Sequence, residues 1–562
     1  MTKRYSFPQA ALALVIALFL FIFLVIPVFT VIYVAFTSNG SFTLSHFQSF
    51  FHLTLMREAF YNSLIVGLMS VVLSSVFALP LAYFITRFQF KGALLIQTLG
   101  VLPLIMPPFV GAAAMQLLFG RSGSVNLILG EWFGFTVPFM EGLNAVIFVE
   151  ALHYFPFILL NLTVALNNID SAMEESAQNL GASGLRLFRR IVFPLAMPGY
   201  VAGAALVFLK VFDDVATPLV LNVTNILAAQ AYLRITSIGI DDPIGYVASV
   251  IMVVASMAAL WGSTWVMRGK DYATLQRGGS SLATRKLRPW QAVFAYGWII
   301  FVLLLVLSPH LGILLLSFSK VWSYSVLPDT YTLENYVTVF RDSPFMLWNT
   351  ALYCGIAGGL DVLIGVAIAY LMLRTRLPGR HALDFIATGA VAIPGVVLGI
   401  GYLRTFRDFN VPFADMPFTS FWLLIAFAYT VRRLPYALRS CVAALQQLHV
   451  SMEEAAENLG ANNRRTIWRV VVPLMAGGIL AGFVTSFLTA AVELSATIML
   501  VSATSDAPAS YGIYLYMQSI AGRGPGAALG VIAVALVGVG TYASHRIMRA
   551  RNLRFEALQA LK

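Results

Sequence analysis

Long uninterrupted apolar runs dominate the chain, and short polar stretches separate them. Twelve runs of roughly 20 to 28 residues lie at 9–36, 61–86, 93–119, 142–166, 195–221 and 244–267, then at 291–319, 348–373, 382–403, 418–441, 474–501 and 525–545. A helix rising 1.5 Å per residue needs about 20 such residues to cross about 30 Å of hydrocarbon. The runs are too long and too uniformly apolar for barrel strands, which alternate over about 10 residues. The pattern predicts an all-α polytopic membrane protein with 12 transmembrane helices. The first run follows Lys3 and Arg4. It exceeds a signal-peptide core and lacks a small-residue cleavage site, so it reads as a retained helix.

Composition agrees with this pattern. Hydrophobic residues make up 59% of the 562 and charged residues 11%, against about 25% charged in soluble domains. With the N-terminus in the cytoplasm, cytoplasmic segments hold 24 of the 36 Lys and Arg and outer loops hold 8. The positive-inside rule then places both termini in the cytoplasm. The net charge of +11 reads as a topology signal that also favours anionic membrane lipids. It is not a nucleic-acid footprint. Cys354 and Cys441 fall in or near apolar runs, too few for a disulfide framework or thiolate metal site.

The chain repeats once. Ser41–Phe47 returns at Thr330–Tyr336, offset by 289, and Asn62-Ser63 returns as Asn349-Thr350, offset by 287. His153-Tyr154-Phe155-Pro156 falls opposite Arg432-Arg433-Leu434-Pro435 at 279. Both copies start on the cytoplasmic side, so they are two parallel six-helix repeats forming a pseudo-dimer. The expected units are 1–267 and 291–562. A Gly-, Ser- and Arg-containing cytoplasmic linker at 268–290 joins them.

The most polar passage of each half also recurs. EESAQNLGASGLRLFRRIVFPLAMPG starts at Glu174, and EEAAENLGANNRRTIWRVVVPLMAGG starts at Glu453. Each reads as a short helix with acids at its start, a glycine suited to a left-handed turn, a basic segment held at headgroup level, and a proline opening the next span. Internal spacing is identical: Glu175-Ser176-Ala177, three residues, Gly181, nine residues, Ile191, then Pro194. The second copy has Glu454-Ala455-Ala456, Gly460, Val470 and Pro473 at the same intervals.

This pattern resembles the coupling motif of ABC importer permeases of the type I class, in their fused two-unit form. The resemblance covers essentially the whole chain. It implies that the short helices dock on cytoplasmic ATPases through Glu174, Glu175, Ser176, Ala177 and Gly181, and through Glu453, Glu454, Ala455, Ala456 and Gly460. Ser176 departs from the family's alanine but stays small. The chain itself has no P-loop. Its sole Gly-Lys pair, Gly269-Lys270, is followed by Asp271, and Thr264 stands where the first glycine should be. No catalytic residue set, resident metal site or cofactor is expected, and the chain reads as a transport subunit. ATP and Mg²⁺ would belong to two partner ATPase subunits, and a periplasmic binding protein would deliver the solute.

Charges inside spans mark pathways or partners. Asp213, Asp214 and Glu493 are candidates, with Asp214 and Glu493 matching at offset 279. They could line the pathway or its gate, form structural pairs such as Lys210 with Asp214, or meet the binding protein. Arg432 and Arg433 could meet an anionic substrate or hold interhelical carbonyls and acids. Pro103, Pro107, Pro108 and Pro394-Gly395 interrupt the third and ninth runs and are hinge candidates. The Glu493–Thr497 passage, ELSAT, is similar to ferric-iron and 2-aminoethylphosphonate permeases. That likeness points to ferric iron or a phosphonate-type solute, with thiamine and polyamine as alternatives. An ion-gradient-driven secondary transporter is the rival class, and it leaves the repeated polar element unexplained.

Overall fold

The computed structural model describes residues 7–89, 92–268, 286–412, 416–519 and 521–560. Most of the expected linker therefore lies outside the described residues. Among the described residues the fold is all-α apart from one minimal hairpin, in which Thr37–Ser38 pairs with Ser41–Phe42, and two isolated bridges, Ser319 with Tyr331 and Asn410 with Pro417. The first half carries α1 (Phe7–Phe36), α2 (Thr54–Arg87), α3 (Pro108–Phe119), α4 (Gly142–Asn167), α5 (Ser171–Asn179), α6 (Gly184–Asp213) and α7 (Pro243–Met267). The second carries α8 (Pro289–Phe318), α9 (Pro344–Arg374), α10 (Gly395–Thr405), α11 (Leu423–Gln446), α12 (Ser451–Asn458), α13 (Asn463–Ala491) and α14 (Arg523–Ala560).

Among the described residues, nine helices are long and apolar enough to cross a membrane. The third and ninth runs are interrupted, as their prolines predict. Leu95–Ile105 turns through 103° into Pro108–Phe133, and Arg380–Ala392 turns through 110° into Gly395–Thr405. Proline explains the breaks, since it removes an N–H and clashes with the carbonyl four residues back. The tenth run starts later than expected, at Leu423, and its helix carries Arg432, Arg433 and Arg439. The full count of twelve spans thus depends on counting two bent pairs and one arginine-bearing helix.

The repeated polar pair at the start of the second span ties down a distant loop in each half. Asn62 donates to the Asn225 carbonyl at 2.9 Å, and Ser63 accepts from the Leu227 N–H at 2.8 Å. Asn349 donates to the Ser505 carbonyl at 2.7 Å, and Thr350 accepts from the Ala509 N–H at 2.7 Å. Small residues let helices approach: Gly199 and Gly203 lie against the α4 backbone, and Gly478 and Gly482 against α11. This four-residue small spacing is a membrane packing device.

The first helix of each half packs on the other half. Tyr402 of α10 donates to the Phe23 carbonyl of α1 at 2.7 Å, and Gly401 lies against Pro27. Reciprocally, Gly312 of α8 lies against Ala114 and Leu118 of α3, and the Ser308 hydroxyl meets the Met115 sulfur at 3.4 Å. The largest apolar core accordingly draws on both halves.

Candidate coupling helices and charge cluster

The two short polar helices are built alike. In α5, Asp170 caps the start by accepting the Ala172 N–H at 2.9 Å. The end closes when Ala182 donates to the Ala177 carbonyl at 2.9 Å and Gly181 to the Gln178 carbonyl at 2.9 Å. In α12, Ala461 donates to Ala456 at 3.0 Å and Gly460 to Glu457 at 2.9 Å. Gly181 and Gly460 both have φ +86°, the left-handed turn that glycine adopts most readily. A π-helical turn follows in each copy, Phe188–Val192 and Ile467–Val471, just before Pro194 and Pro473.

The two glutamates of each pair do different work. Glu174 is buried and forms an ion pair with Arg87 at 2.7 Å. Glu453 is buried and pairs with Arg374 at 2.6 Å. Arg87 also donates to the Leu166 carbonyl at 2.9 Å, and Arg374 to the Leu445 and Leu448 carbonyls at 3.3 and 2.8 Å. Each arginine therefore clamps three ends together: its own span, the span packed beside it, and the short helix. Glu175, Ser176 and Gly181 remain exposed, as do Glu454, Ala455 and Gly460, whereas Ala177 is buried and Ala456 half-buried. Leu180 and Leu459 are 89% and 90% exposed. Sequence reasoning missed both the clamp and these leucines. The repeat of Arg87 as Arg374 at offset 287 was the available signal.

The intramembrane charges gather where α6 and α13 end. Arg432 donates to Asp213 with one nitrogen and to Glu493 with the other, and Arg433 donates to the second Glu493 oxygen. Asp213 also accepts the Gly395 N–H. Glu493 accepts the Ala496 N–H at 3.2 Å. The arginines thus hold acids, and the Asp213–Arg432 pair joins the two halves. The Lys210–Asp214 pair, one of the alternatives open from the sequence, does not form among the described residues. Asp214 instead caps the turn that follows it, accepting the N–H groups of Ala216 and Thr217 and the Thr217 hydroxyl. These local donors hold the carboxylate away from the lysine.

Two intramembrane acids escaped the sequence reading. Glu150 is fully buried beside Asp214, and Asp361 is fully buried on α9. Neither carboxyl has a donor in good hydrogen-bond geometry among the described residues, with Thr217 beside Glu150 and Ser486 beside Asp361. Both stand singly in apolar runs, without a repeated partner to mark them. Among the described residues no group of three or more His, Cys, Asp or Glu could hold a metal ion.

Two stretches, 70–271 and 361–554, match one family, the binding-protein-dependent transport system inner membrane components. The chain belongs to that family. It is a multi-pass inner membrane permease, a transport subunit of the ABC importer type rather than an enzyme. The ferric transport system permease protein FbpB of Actinobacillus pleuropneumoniae is 29% identical over 509 residues, 88% of this chain and 72% of that one. The molybdenum transport system permease protein ModB of Escherichia coli is 28% identical over 216 residues, 38% of this chain and 93% of its own. A relative of that length matches a single unit, in keeping with the fused repeat. A solved bacterial ABC transporter involved in import of the acidic polysaccharide alginate aligns with 46% of this permease and 94% of its own chain, at 20% identity and TM-score 0.37.

Proposed function

We propose that this permease forms both halves of a solute pathway and is driven by two separate cytoplasmic ABC ATPases, one docked on α5 and one on α12. One observation carries the reading. Two short helices, identical in internal spacing, are each anchored by a buried arginine–glutamate pair and each present an acid and a leucine outward. An anchor on one face and a free surface on the other suit an element that transmits force from a partner. Both termini and both short helices lie on the cytoplasmic side in this reading, as the arginine and lysine distribution favours. A periplasmic binding protein delivers the solute to the opposite face. Membrane lipids surround the exposed apolar helix faces.

Ferric iron is the favoured solute, on the strength of the likeness to FbpB along most of the chain, with a phosphonate-type solute second. Proteoliposomes holding the permease and its ATPase test the mechanism. Uptake is expected to require ATP and a hydrolysis-competent ATPase. Uptake that persists with a hydrolysis-dead ATPase and follows a proton gradient would return the chain to the secondary-transporter class. For docking, Glu175→Arg with Glu454→Arg should abolish co-purification with the ATPase and leave membrane insertion intact.

A further inference from the structure

Asp213 belongs to the first half, and both donors to its carboxylate belong to the second. One oxygen takes the N–H of Gly395, the first residue of α10, and the other takes the Arg432 guanidinium. The Ser495 hydroxyl fixes the same residue by donating to its backbone carbonyl at 3.0 Å. Lys210 lies three residues back on α6. It lines the same small cavity with Asp213, Pro394, Arg432 and Tyr436, and it forms no ion pair among the described residues. A helix N-terminus, a guanidinium and an ammonium are the parts from which oxyanion sites are made.

Gly395 shows how closely this cradle is fitted. A Cβ there would fall within 3 Å of the Arg432 guanidinium carbon and of the Ser495 Cβ. The guanidinium, itself buried, lies directly against the start of the helix, and glycine leaves the room for it.

The fold does not require this charge. At the pseudo-symmetric position Pro108 stands for Gly395, Val492 for Asp213 and His153 for Arg432. Proline has no N–H to offer. There Pro108 and His153 line a small cavity with Met115 and His310, and Val492 lines a separate, almost wholly apolar one with Ile105 and Pro107. The three positions that build the cradle in one half carry no carboxylate–guanidinium pair in the other, where the buried acids Asp214 and Glu150 lie nearby instead.

We infer that Asp213 is a tethered carboxylate that occupies an oxyanion site in the pathway, and that separation of the halves withdraws it so that Gly395 and Arg432, with Lys210 facing them, receive a small oxyanion. The oxyanion is either free or the ligand shell of a metal cation. With Asp213 gone, Arg432, Arg433 and Lys210 outnumber Glu493, which disfavours a bare trivalent cation. The importer reading supplies the motion that withdraws Asp213, whereas the site itself stands on the geometry alone.

The test uses the full-length chain in lipid nanodiscs and needs no ATPase, so a failed uptake assay and a failed site are separate results. Asp213→Ala vacates the cradle. The variant should bind radiolabelled inorganic phosphate or citrate at least tenfold more tightly than the parent chain, and either anion should raise its melting temperature saturably. Adding Arg432→Gln or Gly395→Ala should remove both effects. Citrate loaded with ferric iron forms the third arm: tighter binding than citrate alone assigns a metal–oxyanion complex, and equal or weaker binding assigns the free anion. If Asp213→Ala does not insert, Asp213→Ser shortens the side chain, removes the charge and should show the same gain. Failure of the folded variant to bind any of the three probes overturns the proposal. So does binding that survives loss of Arg432.

Discussion

Arg87 and Arg374 carry more of the structure than their place in a charge count suggests. Removing one partner of a buried ion pair strands the other and costs about 3–5 kcal/mol. Arg374→Ala should therefore lower the thermal stability of the purified permease clearly. It should also reduce ATPase stimulation more than an exposed change such as Arg464→Ala, in a side-by-side melting and ATPase assay. Equal effects would sink the clamp. Asp361→Asn is expected to leave the melting temperature unchanged or raise it, because it removes a buried ionisable group that has no ion-pair partner among the described residues and no donor in good geometry. At the surface, Asp241 joins the halves through Arg404 and Arg407. Hydrogen bonds from Arg407 and then Arg404 hold its carboxyl below the usual aspartate range. Its folded-state affinity for a proton is depressed, so the contact is present at neutral pH and is lost only as pH falls below about 3.9. It should weaken much earlier with salt, since the group is exposed. Cross-linking yield between cysteines placed at Ile240 and Asp408 should follow that order: insensitive from pH 8 to 5, reduced by molar salt.

At the level of elements, the short helices were legible because turn chemistry and spacing are local. The glutamates marked the start, the glycine marked the end, and both copies agreed. The bent spans were half legible. Pro107-Pro108 and Pro394-Gly395 announced an interruption, but a turn of more than 100° depends on what packs in the angle, which apolarity does not encode. The pairing of Asp213 with Arg432 was not legible, because it joins residues 219 apart. The tempting local alternative, Lys210 with Asp214, obeys helical spacing and yet fails, because the helix ends at Asp213. Beyond that residue no i, i+4 face exists. The left-handed glycines offer a direct check of the element. Gly460→Val places a β-branched residue at φ +86°, where a side chain costs about 1–2 kcal/mol. The last turn of α12 should fray and ATPase affinity should fall several-fold in a pull-down titration, while the transmembrane helical content seen by circular dichroism stays the same. Full affinity would mean that the turn is not part of the docking surface.

For the whole molecule, the repeat suggested two units side by side, and the structure exchanges their first helices. Thr405 meets Thr30 at 3.1 Å and Tyr402 reaches the Phe23 carbonyl at 2.7 Å, so α1 seals α10 of the opposite half. On the other flank α8 seals α3. A pseudo-dimer held this way resists complete separation, because each half has lent a helix to its partner. Such a molecule can rock about its middle and remain one body, as an alternating pathway requires. The exchange also predicts how the chain behaves when cut. Residues 1–268 and 286–562, co-expressed as two polypeptides, should associate in the membrane and co-purify through a tag on either one. Deleting 1–36 from the first piece uncovers the face of α10 that lies against Pro27, and co-purification should then drop sharply. The comparable loss of 286–318 from the second piece should expose α3 and act the same way. If the truncated pieces still co-purify as well as the whole ones, the halves are held by the central charged contact and the core alone, and the exchanged helices are covers rather than ties.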